Sequence, residues 1–294
     1  MAEITQAPAL AYARSFLFVP ANRPERYAKA LASGADAVII DLEDAIAPAD
    51  KLVARQTLVE TLGSLEVGQH ARLLVRINAA GTPWHAGDLA VLRGLAGQGL
   101  GAVMVSKAES PATLADVAVA AGPSCSLLPL IESVAGLDAV DALAACPRVA
   151  RLAFGNLDFQ ADVGLACDAG ELELIPVRLA LVLASRRARL AAPVDGISTG
   201  TQDMAQLSLD AARSRRGGFG GKLCIHPAQA AVVNAAFSPS AAELDWARRV
   251  QAAFKAAGGG VFSLDGRMVD APVLRLALGT LAYAALHQVG DERR

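Results

Sequence analysis

Eight short apolar runs alternate along this chain with helix-compatible segments, and this alternation limits the fold more than any other feature. The runs are nearly continuous in apolar residues, which is typical of strands buried on both faces of a sheet. Most of the intervening segments are alanine-rich, such as "RPERYAKALASG". Eight strand–helix units predict a (β/α)8 barrel. The runs are "FLFVP" (16–20), "AVIIDLE" (37–43), "RLLVRIN" (72–78), "GAVMVSK" (101–107), "SLLPLIE" (126–132), "VARLAFG" (149–155), "PVDGIST" (193–199) and "KLCIHP" (222–227).

An open, doubly wound parallel sheet is the alternative architecture. Such a sheet commonly has a glycine-rich phosphate-binding turn after its first strand. The segment at that position here, "FVPANRPERY", contains no glycine. The sequence therefore favours the barrel.

Polar side chains occur at the carboxyl ends of these runs, where barrel enzymes carry their chemistry. Any one of them could simply be a charge at the point where a strand leaves the core. The opposite strand ends, however, begin with ordinary residues such as Phe16, Ala37 and Ser126. We therefore expect one ring of functional groups, made of Glu43, Asp44, Arg76, Asn78, Lys107, Glu132, Asp158 and His226.

Two of these groups, Glu132 and Asp158, end neighbouring runs without a histidine or thiol beside them. Magnesium prefers one or two carboxylates together with substrate oxygens and water, so this pair predicts a Mg²⁺ site. A glycosidase pair is the competing use of two carboxylates, but sugar sites usually bring stacking aromatics and the chain is only 4% aromatic. Arg76 can grip a substrate carboxylate in two places. The combination favours cleavage or formation of a carbon–carbon bond next to an oxygen-bearing carbon.

Composition excludes several other classes of protein. The formal net charge is −2 over 294 residues and the arginines are scattered apart from two short groups, so we expect no nucleic-acid partner. The first residues lack the pattern of a signal peptide, and no apolar run approaches the roughly 20 residues that span a bilayer. We expect a cytoplasmic protein without a membrane partner.

The four cysteines form no CxxC pair. Their spacing favours reduced thiols over a zinc site or disulfides.

Several sequence blocks, in this order, resemble one known family. They are "RSFLFVPANRPERYAKALASGADAVIIDLEDAI", "VRIN", "TPW", "SKAES", "LLPLIES", "FGNLDFQADVG", "GKLCIHPAQ" and "DGRMVDAP". From about residue 14 to about residue 276 the chain is similar to the citrate lyase β-subunit-like branch of the HpcH/HpaI aldolase superfamily, which includes malyl-CoA and citramalyl-CoA lyases. The resemblance implies a barrel over residues 1–238, a C-terminal helical extension over residues 239–294, and Mg²⁺-dependent cleavage of 3-hydroxyacyl thioesters into an acyl thioester and a 2-oxo acid.

The resemblance also assigns roles to particular residues. It implies that Glu132 and Asp158 hold the metal and that Arg76 holds the oxo acid. Asp270, in "MVDAP", matches a residue that a neighbouring subunit contributes to move a proton, which requires an oligomer. The resemblance itself implies a trimer or a trimer-based assembly. From the residues alone, a helix cap is the favoured role of Asp270, since "LDGRMVDAP" predicts a turn followed by a helix N-terminus. The remaining matches are the polar residues Glu43, Asp44 and Lys107 around the oxo acid, and Arg14, Arg23 and Lys29 near the CoA nucleotide.

Two local features bear on the choice of substrate. Many relatives have an acidic residue directly before the metal aspartate, whereas this chain has Leu157, and the segment "DGISTGTQDM" lies in a loop that varies between relatives. Malyl, citramalyl and citryl thioesters therefore stay open as substrates. The hypotheses are a free-standing lyase acting on a CoA thioester, a citrate lyase β-subunit acting on a carrier-protein thioester, and a barrel that binds acyl-CoA or 2-oxo acids without turnover. A metal-dependent aldolase acting on a hydroxy-oxo acid is a minor further alternative.

Overall fold

The computed structural model describes residues 9–291, and residues 9–237 contain a closed barrel. Eight parallel strands follow one another around the barrel in chain order, and the eighth pairs with the first. The predicted (β/α)8 fold is confirmed. The strands are β1 (Ser15–Pro20), β2 (Ala37–Asp41), β3 (Leu73–Ile77), β4 (Ala102–Val105), β5 (Ser126–Ile131), β6 (Ala153–Phe154), β7 (Val194–Asp195) and β8 (Gly221–Cys224).

Helices connect the strands and cover the outside of the barrel. The start of one of them shows how the sequence sets the boundaries: the Ser110 hydroxyl accepts a hydrogen bond from the Ala112 amide at 3.2 Å, and Pro111 occupies the first helical position. The helices are α1 (Tyr27–Leu31), α2 (Lys51–Leu62), α3 (Val67–His70), α4 (His85–Leu95), α5 (Pro111–Ala121), α6 (Val134–Asp138), α7 (Val140–Ala144), α8 (Asn156–Val163), α9 (Ile175–Arg187), α10 (Met204–Arg216) and α11 (Pro227–Phe237). Short 3₁₀ turns occur at Ala9–Ala11, Pro24–Arg26, Pro48–Asp50 and Leu172–Leu174.

The barrel has two apolar layers, and strand alternation separates them. On β2, Ala37 and Ile39 point into the barrel, whereas Val38 and Ile40 pack outward against the helices. Successive side chains of a strand point to opposite faces, so a strand buried on both sides reads as a continuous apolar run. Each large side chain buried in this way stabilises the fold by about 1.5–3 kcal/mol.

Two strands are much shorter than predicted. The runs 149–155 and 193–199 form β6 and β7 of two residues each, and the two strands share the single register pair Ala153–Val194. Directly before β6, the fully buried Arg151 donates side-chain hydrogen bonds to the carbonyls of Leu10, Ala13 and Ala192. Beyond this pair, the Asn156 side chain bonds the backbone of Ile197, in the loop after β7.

The C-terminal unit, residues 238–291 of the described chain, has its own small core. It consists of α12 (Ala241–Ala256), an antiparallel hairpin of β9 (Phe262–Leu264) and β10 (Arg267–Val269), and α13 (Ala271–Asp291). The hairpin, absent from the helical extension that we predicted, turns at Asp265 and Gly266, which have φ angles of 52° and 75°. An Asp-Gly pair with positive φ at both residues is a favoured two-residue hairpin turn. None of the helices in residues 9–291 is long and apolar enough to cross a membrane.

Candidate active site

A cavity of about 840 Å³ opens at the carboxyl ends of the barrel strands. Its walls are mostly apolar, with side chains such as Phe18, Leu130 and Ile197, and a set of charged and polar side chains also lines it. Active sites of (β/α)8 enzymes occupy this end of the barrel. The sequence-predicted residues that line the cavity are Lys29, Asp44, Arg76, Glu132, Asp158 and His226.

Arg76 is held among carboxylates at the end of β3. Its Nε and Nη2 donate to the two carboxylate oxygens of Asp41 at 2.7 and 2.6 Å, and its Nη1 lies 2.7 Å from Glu43 Oε2 and 3.3 Å from Asp44 Oδ2. The guanidinium also lies 4.7 Å from the centre of the Phe18 ring. Burial alone would lower the pKa of Arg76, but Asp41 and its acidic neighbours hold that pKa above its ordinary value. Arg76 is therefore a fixed positive charge facing the cavity.

Glu43 lies at the edge of this cluster and has an unusual protonation equilibrium. Burial raises the pKa of Glu43 to about 7, although the positive charge of Arg76 opposes the shift. Its buried Oε2 is close to Arg76 Nη1 but not aligned with it, so this oxygen has no hydrogen-bond partner within the described residues. A carboxyl group that titrates near neutral pH is suited to exchange a proton with a substrate.

Lys51 binds the backbone of the segment after β2 that carries Glu43. It is 5% exposed, and its ammonium donates to the carbonyls of Leu42 and Glu43 at 2.7 and 2.8 Å and to Asn78 Oδ1 at 2.6 Å. Asn78, predicted as a ring member, donates in turn to Asp88 Oδ2 at 2.6 Å and is 1% exposed. Asn78 is therefore a supporting residue and does not face the cavity. Sequence reasoning missed Lys51, because a lysine in a helix is usually solvated.

Glu132, directly after β5, is almost fully buried, at 3% exposure. The backbone N–H of Lys107 donates to its Oε1 at 2.7 Å, and Lys107 adopts a φ of 44°, which is uncommon for a residue with a side chain. Gly155 makes room for the carboxylate: a Cβ at this position would lie 2.5 Å from the Glu132 Cβ and closer still to Oε2. Burial raises the pKa of Glu132 well above its ordinary value, and the nearby charge of Glu43 adds to the shift.

Asp158 lies in the first turn of α8, whose amino end favours negative charge. Its side chain is 42% exposed, and the ammonium of Lys107 lies 3.8 Å away. Both Asp158 and Glu132 line the cavity and interact electrostatically. Over residues 9–291 no group of three histidine, cysteine, aspartate or glutamate side chains is arranged to hold a metal alone. Two hard carboxylate ligands that leave positions for water and substrate suit Mg²⁺.

The residues predicted to bind CoA separate into two groups. Lys29 lines the cavity, and so does Arg26, which we did not predict. Arg23 is exposed, lies 3.9 Å from Glu25 and is not among the residues that line the cavity. The assignment of Arg14 to the substrate is corrected: it precedes β1 at the amino end of the barrel, where its buried Nε donates to Asp36 Oδ2 at 2.8 Å. Strand direction places this ion pair at the end of the barrel away from the cavity.

Asp270, the predicted proton-transfer residue, belongs to the C-terminal unit. Its Oδ1 accepts a hydrogen bond from the backbone N–H of Val273 at 3.1 Å, at the start of α13. Within this unit it therefore acts as a helix cap, the role that the residues alone favoured.

Asp41 is the main site residue that the sequence did not reveal. We predicted a strand over 37–43, which placed Asp41 inside it, whereas β2 ends at this residue. An aspartate directly after the apolar run "AVII" was the available signal.

An arginine and two carboxylates that line one cavity at the carboxyl end of a (β/α)8 barrel suit the chemistry of metal-assisted lyases and aldolases. Over residues 14–227 the chain matches the HpcH/HpaI aldolase/citrate lyase family, and it belongs to that family. The family resemblance predicted from the sequence blocks is confirmed.

Three relatives show how far this similarity extends. A protein of Cereibacter sphaeroides named (3S)-malyl-CoA thioesterase is 35% identical over 92% of this chain and 94% of its own length. The L-malyl-CoA/beta-methylmalyl-CoA lyase of the same species is 32% identical over 90% of this chain and 92% of its own. The crystal structure of CitE from Mycobacterium tuberculosis with magnesium, acetoacetate and coenzyme A superposes with a TM-score of 0.80, at 35% identity, over 94% of this chain and 99% of that one.

Proposed function

We propose that this enzyme is a Mg²⁺-dependent carbon–carbon lyase that cleaves, or forms, a 3-hydroxyacyl-CoA thioester such as citramalyl-CoA, malyl-CoA or citryl-CoA. The products of cleavage are acetyl-CoA and a 2-oxo acid. The observation that carries the proposal is that Arg76 and the pair Glu132 and Asp158 line the same cavity. The magnesium and CoA bound to the CitE neighbour support it, as does the lyase among the relatives.

Each group has a role in this reaction. Glu132 and Asp158 would hold Mg²⁺, which when bound supplies positive charge to the oxygens of the acid end. Arg76 would bind the same end through its guanidinium, already oriented by Asp41. Lys107 lies 3.8 Å from Asp158 and contributes a second positive charge. Preorganised charges of this kind stabilise the oxygen charge that develops in the transition state.

Two proton transfers complete the reaction. The hydroxyl proton of the substrate must leave as the carbon–carbon bond breaks, and Glu43, with its pKa near 7, is suited to accept it, with Asp44 close to the same guanidinium. The thioester enolate then takes a proton on carbon, and we assign this step to Asp270. That assignment requires Asp270 to come from the C-terminal unit of a neighbouring subunit, so it implies an oligomer, which we propose to be based on a trimer.

Hydrolysis of the thioester is the second candidate function. It is favoured by the name of the Cereibacter relative that is 35% identical, a malyl-CoA thioesterase. The two reactions release different products. Carbon–carbon cleavage gives acetyl-CoA and a 2-oxo acid without a free thiol, whereas hydrolysis gives free CoA and the intact hydroxy acid.

The test is to incubate the full chain with malyl-CoA, citramalyl-CoA and citryl-CoA, with Mg²⁺ or with EDTA, and to measure 2-oxo acid and free thiol in parallel. The lyase predicts Mg²⁺-dependent 2-oxo acid without thiol, and loss of it in Asp158→Ala and Asp270→Ala. The control is Asp50→Ala, an exposed aspartate that makes no side-chain cap for α2. Thiol without oxo acid establishes the thioesterase instead. If a folded, magnesium-binding protein releases neither product, a carrier-protein thioester or a binding role without turnover replaces the proposal.

A further inference from the structure

The side chain of Asn156 joins the helix that carries Asp158 to the loop after the neighbouring strand β7, which also lines the cavity. Asn156 is the first residue of α8 and is 1% exposed. Its Oδ1 accepts a hydrogen bond from the Ile197 N–H at 3.0 Å, and its Nδ2 donates to the Ile197 carbonyl at 3.1 Å. This two-way contact takes the place of sheet pairing between β6 and β7, which share one register pair only.

The same amide is tied to an ion network. Asn156 Nδ2 also donates to Glu171 Oε1 at 3.1 Å, and Glu171 Oε2 accepts from Arg178 Nη2 at 2.6 Å and from Arg213 Nη2 at 2.7 Å. Arg178 is itself bound to the fully buried Asp195 of β7, at 3.0 Å. Glu171 has a φ of 46°, a conformation that costs energy for a residue with a side chain. Such a residue persists where its surroundings fix it, and here helices α9 and α10 both bind it.

The space for this contact is provided by a glycine. Gly196, between Asp195 and Ile197, would overlap Asn156 Oδ1 if it carried a Cβ. The loop after β7 therefore approaches Asn156 with its bare backbone. Ile197, which this contact fixes, lines the cavity together with Asp158.

Asp158 depends on its backbone for its position. Its side chain is 42% exposed, and the neighbouring Lys107 ammonium is 3.8 Å away on a side chain that is itself 48% exposed. A loosely held carboxylate can serve as a metal ligand only if the chain beneath it is fixed. Asn156, two positions earlier in the same helical turn, ties this turn to the loop after β7 and to Glu171.

We infer that Asn156, held by Glu171, is a positioning residue. It fixes both the helical turn that carries the proposed ligand Asp158 and the cavity wall at Ile197, so a change at this amide alters metal affinity and substrate fit together. The inference rests on the proposed function. It adds two residues that neither touch the substrate's reacting atoms nor hold the metal.

The first variant is Asn156→Asp, which keeps the size and one acceptor but loses both donated hydrogen bonds and brings a second carboxylate against Glu171. Changes to the partners that support metal ligands typically weaken metal affinity about 10- to 100-fold. We expect the Kd for Mg²⁺, measured by titration calorimetry without substrate, to rise by about 10-fold or more, together with a rise in KM. The matched control is Asn234→Asp on α11, where an amide donates to the Gly34 carbonyl at 2.8 Å.

The second variant tests the coupling itself. Glu171→Gln in the Asn156→Asp background reverses the polarity of the contact, because a glutamine amide can donate to the new carboxylate. We expect the double variant to bind Mg²⁺ more tightly than Asn156→Asp alone, although Arg178 and Arg213 lose their partner. Glu171→Gln by itself, which leaves Asn156 in place, supplies the data if Asn156→Asp fails to fold.

The outcomes separate the inference from the proposed function. If the wild-type protein neither binds Mg²⁺ nor cleaves a thioester, the proposed function fails. If the wild type binds Mg²⁺ and Asn156→Asp lowers only the thermal midpoint of the metal-free protein, with Kd and KM unchanged, Asn156 is merely structural and the inference is overturned. If the fold-change in the Kd of the double variant equals the product of the fold-changes in the two single variants, the residues act independently. That result overturns the coupling through Glu171.

Discussion

Asp41 and Arg76 stand opposite one another in register on β2 and β3 and are joined by two parallel hydrogen bonds of 2.7 and 2.6 Å. Both residues are buried, with Asp41 1% and Arg76 8% exposed. A buried charge is tolerated when its partner satisfies it, and the two-point contact also fixes the plane of the guanidinium. The pair therefore orients the group that we propose to bind the oxo acid.

Removing the carboxylate of this pair should cost both stability and substrate binding. We expect Asp41→Ala to lower the free energy of unfolding by about 3–5 kcal/mol, the usual cost of breaking a buried ion pair, and to raise KM. Urea denaturation and steady-state kinetics measure the two effects. Asp50→Ala is the exposed control and should change stability by less than about 0.5 kcal/mol. Equal effects of the two substitutions would contradict the role given to Asp41.

Gly155 is required because the Glu132 carboxylate lies against it. A methyl group in Gly155→Ala would lie 2.5 Å from the Glu132 Cβ, so the side chain must move away from the position set by the Lys107 amide. We expect Mg²⁺ binding, measured by calorimetry, to be lost or weakened by at least about 10-fold.

The control for this substitution is Gly94→Ala in α4, where nothing lies within 4 Å of the added methyl. There we expect unchanged Mg²⁺ affinity and a gain in stability of about 0.4–1 kcal/mol, because alanine reduces the freedom of the unfolded chain. Normal Mg²⁺ affinity in Gly155→Ala would show that Glu132 is not the ligand.

The fold and the main site residues were predictable because both depend on local patterns. A buried parallel strand is an apolar run whatever it pairs with, and the residue that ends the run lies at the carboxyl end of the barrel. Arg76, Glu132 and Asp158, which end or follow such runs, were predicted as ring members and line the cavity. Asp41 was not predicted, because the end of β2 was expected two residues too late.

The supporting residues were not predictable, because their roles depend on distant parts of the chain. Lys51 binds Asn78, 27 positions away, and Asn156 binds Ile197, 41 positions away. A lysine in a helix and an asparagine after a strand have no local pattern that distinguishes them from solvated residues. Arg14 shows the reverse: its position in a matching block suggested a ligand, yet strand direction places it at the other end of the barrel.

Lys51 should contribute stability through the backbone that it binds. In Lys51→Met the Glu43 carbonyl and Asn78 Oδ1 lose the donor that Lys51 supplies, whereas the Leu42 carbonyl keeps the Asn78 amide at 3.0 Å. Each unsatisfied group costs about 1–3 kcal/mol. We expect urea denaturation to show a loss of roughly 2–5 kcal/mol, with a lower kcat because Glu43 is no longer held. Lys255→Met, on an exposed position of α12, should leave both unchanged. A fully stable, fully active Lys51→Met protein would show that the ammonium is dispensable.

The metal-free protein should lose stability as the pH rises from about 4.5 to about 7 because of Glu43. Its pKa is about 7 when folded against an ordinary value of 4.5, so in this range the folded state holds a proton that the unfolded state releases. A state that binds more protons is weakened as the pH rises. Urea denaturation at several pH values in EDTA measures this slope. Glu43→Gln, which cannot titrate, should flatten the slope, and an unchanged slope would assign it to other groups.

Magnesium should bind more tightly as the pH rises, because the metal and the proton compete for Glu132. Burial and the charge of Glu43 raise the pKa of Glu132 well above its ordinary value, so the metal-free protein keeps this proton to a higher pH than an exposed glutamate would. Binding must release it, since a carboxylate ligand is deprotonated. Calorimetric titration with Mg²⁺ at pH 6 and pH 8 should give the lower Kd at pH 8. Titrations at pH 6 in two buffers of different ionisation enthalpy should show proton release.

The control is Asp158→Asn, which removes one proposed ligand but keeps Glu132. This variant should therefore bind Mg²⁺ more weakly while still releasing a proton. A Kd that is the same at both pH values, with no proton released, would mean that Glu132 is already ionised in the metal-free site.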